Sequence, residues 1–455
     1  MTSVPETELT TRAPAHPTLR QATQVWARIG LLSFGGPAGQ IALMHRELVE
    51  ERRWISESRF LHALNFCMLL PGPEAQQLAT YIGWLLHGTK GGVIAGTLFV
   101  VPGFLTILVL SALYAQLHEA TWLISLFFGL KAAVLDIVLE ALIRVGRRAL
   151  KSRSMAAIAA LAFIALFAFN VPFPVVILAA GIAGYAGTRA GVLLPTATHT
   201  GPSSSLPAVI DEQTVVGRHI GTWSTIAIWG ALWIAPLAAI MLIWGWPSTL
   251  GTLWLFFSQM AVVTFGGAYA VLAYVAQEAV QNFGWLQPGE MVDGLALAET
   301  TPGPLVLVLS FVGFLASFRS PLGLDPLLAG LVGATLTTWV TFVPCFLWIF
   351  LGAPHIERLR SNIALSGALT AVTAAVVGVI LNLAVWFALH VLFAEVTALR
   401  LGPISLNAPV WSSVNWPATL LAAIAMLCLF RLKTGVLGTL AICGTLGLLL
   451  RLLPV

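Results

Sequence analysis

Short motifs of glycine and proline give this sequence the means to bind an anion. They are Phe34-Gly35-Gly36 and Pro71-Gly72-Pro73, and each lies inside an apolar stretch. Proline lacks a backbone N–H and disfavours helix in the residue before it, so these motifs should interrupt helices. A helix that restarts after such a break has free N–H groups and a partial positive charge at its N-terminus. This kind of terminus binds anions.

Both motifs occur again 231 positions later, as Phe265-Gly266-Gly267 and Pro302-Gly303-Pro304. Trp54 and Trp285 keep the same offset, and so do Glu47 and Glu278. After an insertion near residues 318–328 the offset becomes 242, at which Pro102 corresponds to Pro344. The sequence therefore predicts two diverged copies of one unit. Corresponding interruptions in two halves are typical of a transporter's binding site.

The composition places these motifs in a membrane. Hydrophobic residues make up 58% of the 455 residues and charged residues 9%, with a mean hydropathy of +0.90, whereas soluble domains contain roughly one-quarter charged residues. Apolar stretches of about 20 residues recur, as in membrane-spanning helices. The predicted fold class is an all-α polytopic membrane protein. Its four cysteines lie singly, as expected of small buried hydrophobes, and no metal site is indicated.

The apolar segments divide the chain into five parts. These are a polar N-terminal tail (1–20), a first transporter repeat (21–193), a polar linker (194–224), a connecting transmembrane helix (225–246) and a second transporter repeat (247–455). Segments of the first repeat are predicted at 22–44, 60–86, 92–117, 121–143, 155–170 and 173–193. Those of the second are predicted at 250–277, 291–318, 325–351, 363–393, 416–430 and 434–452.

Loop charges orient these segments, because short loops rich in Lys and Arg stay in the cytoplasm. The loop around 144–153 is the most basic, and the N-terminal tail is basic as well, so both are predicted to be cytoplasmic. The loop 46–59 is also basic, so the first two segments should be re-entrant hairpins folded at their breaks. The alternative is two full spans. The corresponding loop 280–291 has no Lys or Arg, which predicts inverted-topology repeats.

These motifs resemble the chromate ion transporter family, of the long, two-domain type. The resemblance rests on Ser33-Phe34-Gly35-Gly36-Pro37, His45-Arg46-Glu47, Trp54, Leu70-Pro71-Gly72-Pro73-Glu74-Ala75-Gln76, Thr264-Phe265-Gly266-Gly267, Glu299-Thr300-Thr301-Pro302-Gly303-Pro304 and Phe311-Val312-Gly313-Phe314. It covers nearly all of residues 22–393. The resemblance implies efflux of chromate across a bacterial inner membrane and chromate resistance, with sulfate as a mimic. At the position that corresponds to Glu74, the second copy has Leu305. The two copies should therefore differ in their roles in transport.

Chromate and sulfate are tetrahedral dianions, which need hydrogen-bond donors and compensating positive charge. The predicted substrate-binding residues are Ser33, Phe34, Gly35, Gly36, Asn65, Pro71, Gly72, Pro73, Gln76, Lys131, Thr264, Phe265, Gly266, Gly267, Thr300, Thr301, Pro302, Gly303 and Pro304. Lys131 is the one basic residue expected deep in a span. It either binds the anion or forms a structural ion pair with Asp136.

Two carboxylates adjoin the Pro-Gly-Pro motifs. A carboxylate beside a dianion repels it unless protonated, so Glu74 and Glu299 are candidates for proton coupling. Glu74 could instead stabilise its half-helix as a first-turn charge. Further along, Glu140 and Arg144 follow Asp136 on one helix stripe, and Glu140 is expected to pair with Arg144, whose side chain should reach toward the cytoplasm.

The leading prediction is a secondary active transporter that exports chromate. The alternatives are an importer of sulfate or another oxyanion, a passive anion channel and, from another class, an intramembrane enzyme. The sequence contains no H-E-x-x-H, G-x-S-x-G or G-x-x-x-x-G-K-[ST] motif, which argues against an enzyme and an ATP-driven pump. The predicted partners are chromate or sulfate and the lipid bilayer. No cofactor and no nucleic acid is expected, and a homodimer stays open.

Overall fold

The computed structural model describes residues 14–117, 119–191, 208–210, 221–265, 268–355, 363–402 and 404–452. These residues are mostly helical, which confirms the all-α class. Gly266 and Gly267 of the predicted site lie outside the described residues.

Seven helices are described in the first half. They are α1 (Leu19–Leu32), α2 (Gly36–His45), α3 (Glu57–Cys67), α4 (Glu74–Leu117), α5 (Thr121–Ala149), α6 (Arg153–Phe169) and α7 (Phe173–Arg189). A π-helical turn, Arg46–Glu51, continues α2. The sequence predicts separate segments at 60–86 and 92–117, and the range of α4 contains two helical arms that are joined at His87 and Gly88, whose backbone angles are not helical. A Cβ at Gly92 would lie 3.0 Å from the carbonyl oxygen of Thr80, so the second arm folds back along the first and the two predicted segments are separate.

The second half begins after the connecting helix α8 (Thr222–Ile243). Its helices are α9 (Thr249–Val263), α10 (Ala268–Gln277), α11 (Pro288–Thr300), α12 (Val308–Arg319), α13 (Pro326–Gly352), α14 (Ile363–Leu392), α15 (Trp416–Met426) and α16 (Gly435–Leu452). Between α14 and α15 lies an antiparallel hairpin of β1 (Val396–Leu401) and β2 (Ile404–Pro409). π-Helical turns, Glu278–Asn282 and Leu427–Leu432, continue α10 and α15.

Five of the described helices, α4, α5, α8, α13 and α14, are long and apolar enough to cross a membrane. Shorter apolar helices accompany them in both halves. The surface of α8 carries large apolar side chains, with Trp223 84% and Leu242 87% exposed. Such a surface is compatible with lipid and costly in water. The chain is therefore a multi-pass membrane protein.

Backbone structure recurs where the sequence recurs. The π-helical turn after α2 has its counterpart after α10, 231 positions later. In the first, the N–H of Trp54 donates to the carbonyl of Leu48 over 2.8 Å, and in the second the N–H of Trp285 donates to the carbonyl of Ala279, also over 2.8 Å. The local fold is thus repeated even where the side chains differ.

The two halves exchange their last helix pairs. Helix α5 of the first half packs along α15 and α16 of the second, and its counterpart α14 packs along α6 and α7. Glycines allow the close crossings. Gly129 of α5 meets the backbone of Cys443, and Gly184 of α7 meets the backbone of Gly367. Such small residues are typical of helix crossings in membranes.

Candidate functional site

Three of the four motifs lie fully within the described residues, and the helical backbone is interrupted at each of them. Gly35, between α1 and α2, and Gly36, the first residue of α2, have φ angles of 81° and 73°. Gly72 lies between α3 and α4 with a φ of 120°, and Gly303 lies between α11 and α12 with a φ of 89°. Residues with a side chain rarely adopt these positive angles, so glycine is required at the turns.

The breaks of one half are hydrogen bonded to the breaks of the other. The N–H of Gly72 donates to the carbonyl of Thr264 over 2.8 Å. The N–H of Gly303 donates to the carbonyl of Ser33 over the same distance. These two bonds correspond to each other at the offset of 231. Each Pro-Gly-Pro motif is therefore joined to the Phe-Gly-Gly motif of the opposite half.

Neighbouring helices hold both Pro-Gly-Pro motifs in place. A Cβ at Gly103 of α4 would lie 2.1 Å from the carbonyl oxygen of Pro302. The residue that corresponds to Gly103 at the offset of 242 is Cys345 of α13. Its Sγ lies 2.7 Å from the position of a Cβ at Gly72. The side chain of Gln40 adds a hydrogen bond of 2.6 Å from Nε2 to the carbonyl of Gly303.

Most of the predicted side-chain donors bond to their own helices. The hydroxyl of Ser33 donates to the carbonyl of Ile29 over 2.6 Å, and that of Thr264 donates to the carbonyl of Met260. The hydroxyls of Thr300 and Thr301 donate to carbonyls three residues earlier. Each hydroxyl has one hydrogen to donate, so these four side chains serve the helix ends in this conformation.

Three other predicted side chains lie in different surroundings. Asn65 is exposed on α3. Gln76 is buried, and its Nε2 donates to the hydroxyl of Thr80 in the same helix over 3.1 Å. Phe265 is half-buried and packs against the core. Among the predicted substrate-binding residues that the structure describes, Phe34 and Gly35 of the first Phe-Gly-Gly motif line a cavity that also has charged side chains in its lining.

This cavity has a volume of about 650 Å³, and two cationic side chains line it. It is called the cationic cavity here. Its lining consists of Phe34, Gly35, Glu140, Arg144, Leu429, Phe430, Lys433, Thr434 and the first turn of α16, Gly435–Gly438. Arg144 extends from α5, and Lys433 stands in the turn between the π-helical end of α15 and the start of α16.

Two helices begin at the cationic cavity. Gly35 is the N-cap of α2 and has no side chain to occupy the space in front of the helix. Gly435 is the first residue of α16, and its φ of 76° turns the chain into that helix. The N-termini of both helices carry partial positive charge and unpaired N–H groups. The helix N-termini and the cationic side chains therefore both contribute positive electrostatic potential to the cationic cavity.

One acidic group lies among the cations. Glu140 and Arg144, four residues apart on α5, form the ion pair that the sequence predicts. Lys433 has no such partner among the described residues, so the three charged side chains of the cavity carry a net charge of +1. The Arg144 guanidinium has five N–H donors, and a single carboxylate leaves some of them for a ligand.

A second carboxylate lies within electrostatic range of this pair. Glu299 is buried at the end of α11, and the hydroxyl of Tyr269 donates to its Oε1 over 2.6 Å. Its charge interacts with those of both Arg144 and Glu140. Glu74, the other predicted proton-coupling residue, is the first residue of α4 and interacts electrostatically with Arg148.

Both halves of the chain match a known protein family. A family model described as "Chromate transporter" matches residues 20–185 and 251–448, two regions whose starts are 231 positions apart. The chain belongs to the chromate transporter family. The chromate transport protein of Pseudomonas aeruginosa is 33% identical to this family member over 420 residues, covering 90% of this chain and 89% of the relative.

Two further relatives are also named as chromate transport proteins. A protein named probable chromate transport protein from Synechococcus elongatus is 30% identical over 81% of this chain and 84% of its own length. The chromate transport protein of Cupriavidus metallidurans is 29% identical over 81% of this chain and 82% of its own length. No solved structure matches the chain. The chain is therefore similar to chromate transport proteins along most of its length.

Sequence reasoning missed Lys433 in this chromate transporter family member. Lys433 and Thr434 separate two apolar segments and precede Gly435, which is a signal for a helix restart. Their proximity to Phe34 depends on the packing of α16 against α5, which no local pattern encodes. Arg144, which the sequence predicts to reach toward the cytoplasm, lines the cationic cavity.

The structure also assigns the partner of Lys131. The sequence offers Asp136 or the anion, but Lys131 Nζ lies 3.2 Å from Oδ2 of Asp293 on α11. The hydroxyl of Tyr114 donates to the same oxygen over 2.8 Å. The pairing with Asp136 is therefore wrong, because a spacing of five residues points the two side chains to different faces of α5. Oδ2 of Asp136 is buried without a hydrogen-bond partner among the described residues.

Replacing Lys131 with Met is expected to destabilise the protein by about 3–5 kcal/mol, because Asp293 would be left as an unpaired buried charge. The double variant Lys131→Met/Asp293→Asn should recover most of this loss. Thermal unfolding of purified protein in detergent measures both effects. Unchanged stability of Lys131→Met together with lost chromate binding would instead place Lys131 at the anion.

Proposed function

We propose that this chain is a secondary active transporter that exports chromate across the bacterial inner membrane and that sulfate competes as a mimic. The cationic cavity at the first Phe-Gly-Gly break carries this proposal. It combines Arg144, Lys433 and two helix N-termini around a space of about 650 Å³, which is large enough for a tetrahedral oxyanion. The family, whose described relatives are named for chromate transport, supports chromate as the substrate.

The chemistry of the cavity suits a dianion. The planar guanidinium of Arg144 can donate two parallel hydrogen bonds to two oxygens of one anion, and the ammonium of Lys433 acts as a flexible point charge. Backbone N–H groups at the starts of α2 and α16 can donate to the remaining oxygens. Hydrogen bonds from charged donors are roughly twice as strong as those between neutral groups.

The same proposal includes an inverted topology of the two halves. The reciprocal bonds from Gly72 to Thr264 and from Gly303 to Ser33 support a two-fold relation between the halves. The helices on either side of the first break, α1 with 14 residues and α2 with 10, are each too short to cross a bilayer. In this proposal they form a re-entrant hairpin, with a counterpart formed by α9 and α10.

Proton coupling follows from the carboxylates near the cations. A dianion in the cationic cavity would lie beside Glu140, which lines the cavity. It would also interact electrostatically, over a longer distance, with Glu299. Protonation of Glu299 removes a negative charge that would repel the anion, and the Tyr269 hydroxyl can accept or donate as the carboxyl changes state. Export of the anion can then be coupled to the movement of a proton.

Replacing Glu299 with Gln is expected to preserve chromate binding and to abolish the dependence of transport on a pH gradient, because Gln mimics the protonated carboxyl. Glu74→Gln provides the comparison at the second predicted proton site. Both are measured as chromate flux in proteoliposomes at several imposed pH gradients. If both variants keep wild-type flux with an unchanged pH profile, neither carboxylate carries the proton.

One set of proteoliposome measurements separates the proposed exporter from its alternatives. Chromate flux is recorded with pH, voltage and sulfate gradients imposed one at a time. An exporter that is a secondary active transporter accumulates chromate against its gradient when the coupling gradient is present. Flux that follows only the chromate gradient indicates a channel, and accumulation of sulfate in the cytoplasmic direction indicates an importer. Recovery of all chromium as chromate excludes a reducing enzyme.

A further inference from the structure

A second cavity lies at the position in the other half that corresponds to the cationic cavity. At the offset of 242, Glu140 and Arg144 of α5 correspond to Asn382 and Trp386 of α14. Both of these residues line a small cavity between α6, α10 and α14. Its polar lining consists of Asn170, Gln277, Gln281, Asn382, Trp386 and Asn407, and it is called the amide cavity here.

The turns beside the two cavities have the same backbone. Lys433, at the cationic cavity, ends a helix with φ 53° and ψ 40°. Asn170, at the amide cavity, ends α6 with φ 48° and ψ 35°. In both turns the next residue donates its N–H to a carbonyl six residues earlier, over 3.1 Å from Thr434 and 3.0 Å from Val171. Two elements that line the cationic cavity, α5 and the turn after α15, therefore have counterparts at the amide cavity in α14 and the turn after α6, whereas α10 lines the amide cavity where the first Phe-Gly-Gly break lines the cationic one.

The donors of the amide cavity are uncharged, and three of them make no hydrogen bond within the part of the chain that the structure describes. Nε1 of Trp386 is buried and has no hydrogen-bond partner there, although an indole N–H normally finds one when buried. The side-chain amides of Asn382 and Gln277 make no hydrogen bond to any other described residue. An oxyanion accepts hydrogen bonds and offers none, so amide N–H and indole N–H groups are suitable ligands for it. Without a cation, they bind it more weakly than the cationic cavity does.

The cavities differ in volume as well as in charge. The cationic cavity measures about 650 Å³ and the amide cavity about 30 Å³. The smaller volume accommodates one or two water molecules and no tetrahedral anion. A structure with one cavity open and its counterpart closed is the arrangement expected of inverted repeats that adopt alternating conformations.

We propose that the amide cavity is a second oxyanion site, which opens on the opposite side of the membrane when the cationic cavity closes. This proposal rests on the proposed transport function. The anion binds among Arg144 and Lys433 on one side and leaves through the neutral donors of Asn382 and Trp386 on the other. Weak binding at the amide cavity favours fast release there.

Trp386→Phe and Asn382→Leu test the proposal because they remove donors and keep side-chain bulk. Each is expected to lower chromate flux in proteoliposomes three- to tenfold while equilibrium chromate binding, measured on purified protein, stays within twofold of wild type. Trp223→Phe, on the exposed surface of α8, is the matched control and should retain flux. Unchanged flux in both cavity variants, or an equal loss of binding and flux, overturns the proposal.

A labelling measurement keeps this result separate from the transport assignment. Asn382→Cys and Lys433→Cys are exposed in intact vesicles to a membrane-impermeant thiol reagent added to one side at a time. The two positions should react from opposite sides, and labelling of both from the same side overturns the proposal. This outcome does not depend on the anion. Absence of chromate flux in the wild-type protein would contradict the proposed function, with the labelling still deciding the sidedness.

Discussion

Replacing Arg144 with Gln is expected to weaken chromate binding about tenfold to hundredfold and to lower transport at least as much. Arg144 lines the cationic cavity and supplies charged N–H donors to it. A hydrogen bond to a charged group contributes about 1.5–3 kcal/mol, and each 1.4 kcal/mol is a factor of ten in affinity. Equilibrium binding of chromate to the purified protein measures the change directly.

Two further variants give this experiment its controls. Arg144→Lys keeps the charge but loses the paired donors, so its affinity should lie between those of the wild type and Arg144→Gln. Arg147→Gln removes an exposed charge from the same basic end of α5 and should bind chromate normally. Equal losses in Arg144→Gln and Arg147→Gln would mean that general surface charge, and not the cavity, attracts the anion.

Replacing Gly103 with Ala is expected to reduce transport to near background, because it separates α4 from the second Pro-Gly-Pro motif. The added Cβ would lie 2.1 Å from the carbonyl oxygen of Pro302 and 2.6 Å from Cδ1 of Leu307. A backbone atom cannot yield as a flexible side chain can. Overpacking of this kind typically costs about 1–3 kcal/mol, and here it also shifts the break.

Gly230→Ala is the matched control for this variant. Gly230 is likewise a helical glycine, in α8, and a Cβ there would have nothing within 4 Å. Helix propensity alone favours Ala over Gly by about 1 kcal/mol, so this control should be as stable as the wild type or slightly more so. Thermal stability and flux are compared in both variants. Wild-type behaviour of Gly103→Ala would show that the contact with Pro302 is not required.

The sequence was sufficient to locate the breaks, because glycine and proline act on their own backbone. The positive φ angles of Gly72 and Gly303 are local properties, and the repeat made them visible in pairs. Hydroxyl donors were harder to assign. Whether Ser33 points to a ligand or back to the carbonyl of Ile29 depends on how the helix ends, and composition does not report this.

Long-range packing explains what the sequence could not predict. Lys131 pairs with Asp293, 162 residues away, and nothing in the spacing of either helix indicates that partner. Lys433 reaches the first break because α16 packs along α5 of the other half. The hairpin of β1 and β2 was likewise not predicted, since its residues lie between two strongly apolar segments.

We expect the transported oxyanion to bind in the cationic cavity, and locating bound chromate in a crystal structure would show whether it does. Chromium scatters X-rays anomalously, so crystals of the protein grown with chromate would reveal the ion in an anomalous difference map. We predict a peak within hydrogen-bond distance of the Arg144 guanidinium, beside Gly35 and Lys433. A peak at Lys131 and Asp293, or elsewhere with this cavity empty, would show that chromate binds at another site.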